Sequence, residues 1–363
     1  MITRKYPFYF RSTVILFGLI LLVYAMLSLK AIMVPLAFAL MISILLNPLT
    51  NKFENWNIPR ALSIVLSLII GFIVIAALAY FISMELSNFS DQLPQFKKKF
   101  ELLMQKSQHG ISREYGISIK KQNQYISDTE NNLKPILGAT VGSLLEIISM
   151  IILLPVFSFL FLYYKTLLLN FLYELFSREN AKEVNVVLIQ TRSAIQHYMF
   201  GLLLEALIVA LLNTAALIIL GVEYAVLLGV LGALLNILPF IGGILSVALP
   251  ILVATITKDG LQTQLWIILI YMLIQFVDNH FLVPYIVSSK VKINALVSIV
   301  IVLLGGALWG ISGMFLAIPM TGILKIIFDQ IPELKPWGKL LGSEIPVKHK
   351  GQLWVRLGKS GAA

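Results

Sequence analysis

The sequence predicts an all-α polytopic membrane protein with about six spanning helices, two re-entrant hairpins and a helical extramembrane insert. Of its 363 residues, 58% are hydrophobic and only 13% are charged, whereas soluble domains are about 45–50% apolar and about 25% charged. The apolar residues form long runs, close to the ~20 residues that cross a bilayer as a helix. Two of these runs are interrupted by proline and glycine, which predicts broken membrane segments rather than simple anchors.

The unbroken apolar runs are the candidate spanning helices. The first follows Arg4, Lys5 and Arg11 and looks like a signal peptide. No small-residue cleavage site separates it from the second run, so we predict an uncleaved first helix. The first two runs are only just long enough to span, and we expect them to form a tight hairpin around Lys30. The candidate runs are residues 12–29, 31–46, 61–83, 141–164, 201–220 and 265–283.

The two broken runs, residues 224–256 and 294–328, are too long for one straight span, and we predict that each folds as a re-entrant hairpin. Irregular backbone within a membrane is tolerated only where it is buried or lines a cavity, and in transporters such segments surround the substrate site. Alternatively the glycines permit close helix packing, and both interpretations can hold together. The candidate packing residues of the second hairpin are Gly305, Gly306, Gly310, Gly313 and Pro319.

The net charge of +10 has an explanation in a membrane protein. In a soluble protein it would suggest nucleic acid, but in a polytopic protein lysine and arginine gather on cytoplasmic loops and face anionic headgroups. If both broken runs are hairpins, Lys290 and Lys292 fall on the same side as the N-terminus, and so does the basic tail. We therefore expect a lipid bilayer as partner, no nucleic acid, and both termini in the cytoplasm.

Composition divides the chain into five regions. Residues 84–140 are the one substantial polar stretch, which predicts the extramembrane insert, and the apolar and charged residues of 171–200 predict an amphipathic helix on the inner membrane surface. The predicted regions are N-terminal membrane helices at 1–83, the insert at 84–140, a membrane helix plus the interfacial helix at 141–200, a core with both hairpins at 201–330 and a basic cytoplasmic tail at 331–363.

The insert carries an apolar seam with heptad-like spacing. Pro94 falls inside it, so we expect the helix to kink or restart there. The seam needs a partner, and either a second insert helix at residues 125–133 or another subunit of a homo-oligomer would supply one. The seam residues are Leu86, Phe89, Leu93, Phe96, Phe100 and Leu103.

Polar residues at the end of the run 265–283 form the sharpest candidate site. Gln275, Asp278 and Asn279 are spaced to share one helical face. An ionisable residue at membrane depth is costly and usually faces a cavity or a partner, so Asp278 is a candidate to bind a proton, a sodium ion or a polar substrate. Alternatively, Asp278 caps the segment that follows, ahead of Pro284.

A second candidate cluster lies at the break in the run 224–256, where Asn236 precedes Pro239, Gly242 and Gly243. Proline removes a backbone donor and leaves a carbonyl free, and the glycines permit tight turns. Such a tip exposes backbone groups to a ligand, and Asn236 could satisfy them or bind a substrate hydroxyl.

Glu205 and the segment Gly310–Gly313 are two further candidates for a function. For Glu205 we favour an ion pair with Arg192 or Lys182 near the membrane surface, because charges near helix ends reach the headgroups. The segment Gly310-Ile311-Ser312-Gly313 matches a short motif of serine intramembrane proteases, with His280 on a nearby segment. The match covers only four common residues of packing helices, so we do not expect an enzyme.

Several chemistries are excluded or disfavoured by residues that the sequence lacks. There is no cysteine, which rules out disulfides, thiolate metal sites and cysteine nucleophiles. There is no HExxH motif, so we expect no zinc site. A P-loop is absent too, so any transport would use a gradient or be passive, and we expect no cofactor.

At these residues the sequence resembles the autoinducer-2 exporter family, also called the PerM-like permeases, over roughly residues 10–328. One departure is visible, because the family often has proline where this chain has Gly243. The matching motifs, in order, are Tyr198-x-x-Gly201, Asn236-Ile-Leu-Pro239-Phe240-Ile241-Gly242, Gln275-x-x-Asp278-Asn279 with Pro284, and the glycine run from Gly305 to Pro319.

The resemblance implies a bacterial inner-membrane transporter that exports a small polar solute, an autoinducer-2-like signalling molecule of quorum sensing. Some members of the family are described as sodium/proton antiporters, which gives an alternative. The family also implies a homopentamer whose hairpins move in an elevator-like manner. The remaining alternative is a non-transporting membrane scaffold that binds partners through residues 84–140.

Overall fold

The computed structural model describes residues 7–124, 127, 152–176, 181–237, 242–258, 260–287 and 293–344. These residues are almost entirely helical, with one isolated bridge between Ile293 and Gly342. Besides a short helical segment at residues 119–124, the helices are α1 (Phe8–Ser28), α2 (Lys30–Asn55), α3 (Arg60–Tyr115), α4 (Ile152–Tyr163), α5 (Lys165–Leu175), α6 (Ala181–Ile219), α7 (Ala225–Asn236), α8 (Gly242–Thr257), α9 (Gln262–Val277), a π-helix (Asp278–Val287), α10 (Ala295–Gln330) and α11 (Lys335–Leu341).

The all-α membrane fold is confirmed. Five of the described helices are long and apolar enough to cross a membrane, or six if the bent pair α4–α5 forms one span. The five include α10, whose length is divided between two arms, and do not include the shorter α1. Some predicted features lie outside the described residues, among them residues 141–151, Lys290, Lys292 and the tail beyond residue 344.

A core of three helices holds the bundle together. Apolar residues of α2, α6 and α10 recur at helical spacing and bury one another, and Gln196 on α6 donates a hydrogen bond to the Ile44 carbonyl on α2 over 2.8 Å. The fully buried members of this core are Val34, Ala37 and Met41 of α2, Ile195, Tyr198 and Leu202 of α6, and Trp309 and Leu316 of α10.

The predicted tight hairpin around Lys30 is wrong. Only Leu29 leaves helical geometry, with φ −95° and ψ 13°, and helix-type hydrogen bonds continue across it, from the Leu29 amide to Ala25 and from Met33 to Leu29. Nearly the same dihedral angles at Tyr164 bend α4 against α5 by 62°. An antiparallel turn between helices needs about two to five loop residues, which this junction lacks, so α1 and α2 do not form a hairpin.

The predicted interfacial helix at residues 171–200 is also wrong as a single element. Helix α5 ends at Leu175, and residues 181–200 are the first half of α6, which runs unbroken for 39 residues. Ala194, Ile195 and Tyr198 are buried in the bundle. The apolar face at this end of the stretch packs on α2, whereas residues 181–193 are exposed or half-buried, and their place at the membrane surface stays a prediction.

Two residues of the insert's seam, Phe89 and Phe96, pack on their own chain, whereas Leu86 and Phe100 are exposed. Helix α3 continues from the predicted span into the insert as one helix of 56 residues, and Pro94 neither ends nor restarts it. The rings of Phe89 and Phe96 both pack on Tyr224, just before α7. This partner was not among the predicted ones. Of residues 125–133, only Ser127 is described, and packing against another subunit stays a prediction.

The first broken run folds as a hairpin of α7 and α8, which we call hairpin 1. A Cβ atom added to Gly232 on α7 would lie 3.3 Å from the Ser246 Cβ on α8, and one added to Gly242 would collide with the Leu235 carbonyl. The two arms therefore lie side by side and in opposite directions. Residues 238–241 at the tip, including Pro239, lie outside the described residues.

The second broken run is hairpin 2, formed by the two halves of α10. Helical geometry fails at Trp309 and at Gly310, where φ is 63° and ψ is −142°. That conformation favours glycine. Gly305 and Gly313 face each other so closely that a Cβ on either would collide with the other's carbonyl oxygen. The hairpin interpretation and the close-packing interpretation are therefore both confirmed, and re-entry into a membrane stays a prediction.

We predict that Gly313→Ala lowers the free energy of unfolding by about 1–3 kcal/mol, because backbone collides with the new methyl group and the arms must separate. Thermal unfolding in detergent measures the effect. The matched control is Gly18→Ala on α1, where an added Cβ meets no atom within 4 Å. An equal melting temperature for Gly313→Ala and wild type would show that the arms are not in contact.

Candidate functional site

A cavity of about 850 Å³ lies between α6, hairpin 1 and α9 with its π-helical continuation. Its wall is mainly apolar, with a few polar groups from three directions, which is the usual make-up of a small-molecule site. The apolar wall includes Leu202, Ile244, Val247, Ile251, Ile268, Met272 and Ile318, and the polar side chains are Tyr198, Glu205, Asn236, Tyr271, Gln275, Asp278 and Asn279.

A chain of hydrogen bonds joins hairpin 1 to α9. Gln275 Nε2 donates to Asn236 Oδ1 over 2.8 Å, and Asn236 Nδ2 donates to Asp278 Oδ2 over 2.8 Å. The oxygen and the nitrogen of the Asn236 amide each make one hydrogen bond, so the orientation of the amide is fixed. Three predicted site residues from two separate sequence clusters therefore meet in one network.

Glycine at the first turn of α8 makes this network possible. A Cβ atom on Gly243 would lie 3.2 Å from Gln275 Oε1 and 3.5 Å from Asn236 Oδ1. The first contact is tighter than ordinary packing and the second is an ordinary van der Waals distance, so a larger residue would require the Gln275 amide to shift. The departure from the family pattern at position 243 thus lies directly against the polar network.

Asp278 begins the π-helix, which continues α9 and contains Pro284. Such π-helical turns are rare and often occur at functional sites. The Asp278 side chain is only 2% exposed, and its Oδ1 atom has no hydrogen-bond partner among the described residues. The alternative role as a helix cap is not observed, since Oδ2 accepts from the side chain of Asn236 on another element.

Glu205 is the main site residue that the sequence interpretation missed. It is 5% exposed and lines the same cavity as Asp278. The predicted ion pair is wrong, because Arg192 and Lys182 precede Glu205 on the same helix by about 20 Å and about 34 Å along its axis. A signal was present: Glu205 falls in the buried 3–4 periodicity of α6 between Leu202 and Val209.

The other predicted polar residues divide between the cavity and the outside. Asn279 lines the cavity, whereas His280 does not, and the His280 ring stacks on Phe276 with Nδ1 3.0 Å from the Phe276 carbonyl. His280 is thus engaged with its own helix rather than paired with Ser312. Tyr271, which the sequence interpretation also missed, is 1% exposed, and its hydroxyl has no partner among the described residues.

Comparison with known proteins gives a consistent result. The model of the AI-2E transport family, described as "AI-2E family transporter", matches residues 14–333. The chain is 28% identical over 322 residues to the "AI-2 transport protein TqsA" of Escherichia coli (strain K12), covering 87% of this chain and 91% of that protein. It is 25% identical over 309 residues to the "Putative transport protein YrrI" of Bacillus subtilis (strain 168), covering 83% and 87%. It is 27% identical over 323 residues to the "Putative permease PerM" of Escherichia coli (strain K12), covering 84% and 88%.

We predict that Asn236→Leu destabilises the protein by about 1–3 kcal/mol for each partner left unpaired, because Gln275 Nε2 and Asp278 Oδ2 both lose their hydrogen bond. Thermal unfolding in detergent gives the measurement. Asn170→Leu, at an exposed position of α5, makes the same chemical change away from the network. Equal effects of the two substitutions would mean that the network does not hold hairpin 1.

Proposed function

This chain belongs to the AI-2E transporter family, and on that premise we propose that it is a secondary transporter exporting a small polar solute, an autoinducer-2-like signalling molecule. The observation that carries the proposal is the hydrogen-bond chain from Gln275 through Asn236 to Asp278, on the wall of a cavity inside an apolar bundle. Buried polar groups in a membrane protein are expensive and therefore favour a functional role.

Each side chain has a proposed part in transport. Asp278 is the coupling carboxylate, because its Oδ1 atom is buried and has no hydrogen-bond partner among the described residues. Asn236 and Gln275 orient that carboxylate and hold hairpin 1 against α9. Asn279 and the tip of hairpin 1, with Pro239, Gly242 and Gly243, supply further groups for a hydroxylated solute.

The cellular setting is part of the proposal. We place the protein in a bacterial inner membrane with both termini in the cytoplasm, assembled as a homo-oligomer, with a pentamer implied by the family. The side chains of α1 support contact with lipid or with other subunits, because they are apolar and largely exposed along the helix. We propose no role for nucleic acid.

Sodium/proton antiport is a second candidate that one observation favours. Among the described residues, the cavity is lined by two carboxyl groups, Glu205 and Asp278, and by no lysine, arginine or histidine. Such a wall suits cations and protons better than anions. The scaffold alternative is less favoured, because Phe89 and Phe96 of the seam pack on Tyr224 of the same chain.

The test is flux through purified full-length protein in liposomes, with autoinducer-2 uptake and sodium-driven pH change measured side by side. The proposal expects autoinducer-2 flux. A sodium-driven pH change alone would favour antiport instead. The absence of both autoinducer-2 uptake and sodium-driven pH change would reject the two transport functions and support the scaffold.

We predict that Asp278→Asn abolishes proton-coupled flux, bringing it to the level of protein-free liposomes, because the amide cannot carry a proton on and off. Assembly, checked by size-exclusion chromatography, stays as in wild type, since the substitution keeps the size of the side chain. Glu223→Gln, at an exposed carboxyl before α7, is the matched control with unchanged flux. Wild-type flux in Asp278→Asn would remove Asp278 from the coupling role.

A further inference from the structure

Glu205 is a buried carboxyl group that the hydrogen-bond network does not use. It projects from α6, whereas Asp278 belongs to the π-helix after α9, so two separate elements bring their acids to one cavity. Glu205 is 5% exposed and Asp278 is 2% exposed, and the two helices that carry them pack directly against each other.

Nothing described around this pair neutralises two negative charges. The titratable groups that line the cavity with Glu205 are Tyr198 on its own helix, Tyr271 on α9 and Asp278 on the π-helix. None of these side chains carries a positive charge. The only described hydrogen bond to either carboxyl group is the one that Asn236 donates to Asp278. Two like charges in an apolar site repel each other and lose their hydration, so the pair requires at least one added positive charge.

We propose that Glu205 and Asp278 form one coupled site that holds a single positive charge, for which a proton and a monovalent cation of the sodium type compete. The inference rests on the proposed function only in treating the cavity as the transport site. Within it, Asp278 is no longer the sole coupling residue, and Glu205 supplies half of the site.

A separate observation points to a ligand in the same cavity. The Tyr271 hydroxyl and Asp278 Oδ1 are buried in the cavity wall, and neither has a hydrogen-bond partner among the described residues. Such oxygen atoms are the ligands that hard cations prefer, and leaving them unpaired is costly. The described residues contain no group of three or more acidic, histidine or cysteine side chains placed to bind a metal, which favours a monovalent ion over a divalent one.

We predict that sodium releases protons from the purified full-length protein in detergent. The protein is kept in weakly buffered choline chloride, sodium chloride replaces choline at constant ionic strength, and a pH-sensitive dye reports the release. Wild type is expected to release up to about one proton per chain, because the cation displaces a proton that the pair had bound. Glu205→Gln and Asp278→Asn each lose the release, and Glu223→Gln keeps it.

The conservative variant Glu205→Asp separates chemistry from folding, since it retains the carboxyl group and is expected to release protons at higher sodium concentrations than wild type. Equal release from Glu205→Gln and wild type would overturn the proposal, as would a wild type without sodium-dependent release. Autoinducer-2 flux that persists in either case would leave the proposed function standing and reject only the paired site. Sodium-dependent proton release from a protein that transports neither autoinducer-2 nor sodium would support the paired Glu205–Asp278 site and reject the transport function.

Discussion

The hydrogen-bond chain from Gln275 through Asn236 to Asp278 is the interaction on which the rest of the site depends. Packing alone does not distinguish one apolar neighbour from another, whereas hydrogen bonds require particular partners. The Asn236 amide, at the end of α7, accepts from Gln275 on α9 and donates to Asp278 at the start of the π-helix, so these two bonds fix how the end of α7 meets α9. The same bonds leave Oδ1 of the carboxylate without a partner among the described residues, so the contact that positions the hairpin also prepares the acid for a ligand.

Both hairpins require helices to approach each other closely, and glycine permits this within hairpin 2 and between hairpin 1 and α6. In hairpin 2 the arms touch through Gly305 and Gly313 and turn at Gly310, while the Trp309 indole donates to the Met26 carbonyl of α1 over 2.9 Å. In hairpin 1 small residues bring α7 against α6, where a Cβ on Gly229 would collide with Thr214. Hairpin 1 is thus packed on α6, which carries Glu205, and bonded to α9, which leads to Asp278.

The sequence predicted the fold class, both hairpins and the cluster of Gln275, Asp278 and Asn279, because hydropathy, proline with glycine, and helical spacing act locally. The predicted ends of the helices were less accurate. Polarity marks where a span leaves the membrane, but backbone hydrogen bonds continue regardless, so α3 and α6 run past the predicted boundaries. Glu205 was misassigned because its neighbours in sequence are not its neighbours in space. Only the packing of α6 against the π-helix brings it to Asp278, and no local pattern contains that contact.

The absence of native cysteine permits a direct test that the cavity is the transport path. A single Ala248→Cys substitution places the only thiol on the cavity wall, and Ser87→Cys places one on the exposed face of α3 as a control. A small thiol reagent is applied to the protein in liposomes while flux of autoinducer-2 and sodium is measured. If the cavity is the transport path, modification at position 248 stops flux and the transported solute slows the labelling, with neither effect at position 87. Full flux after complete modification of Ala248→Cys would contradict a transport path through the cavity.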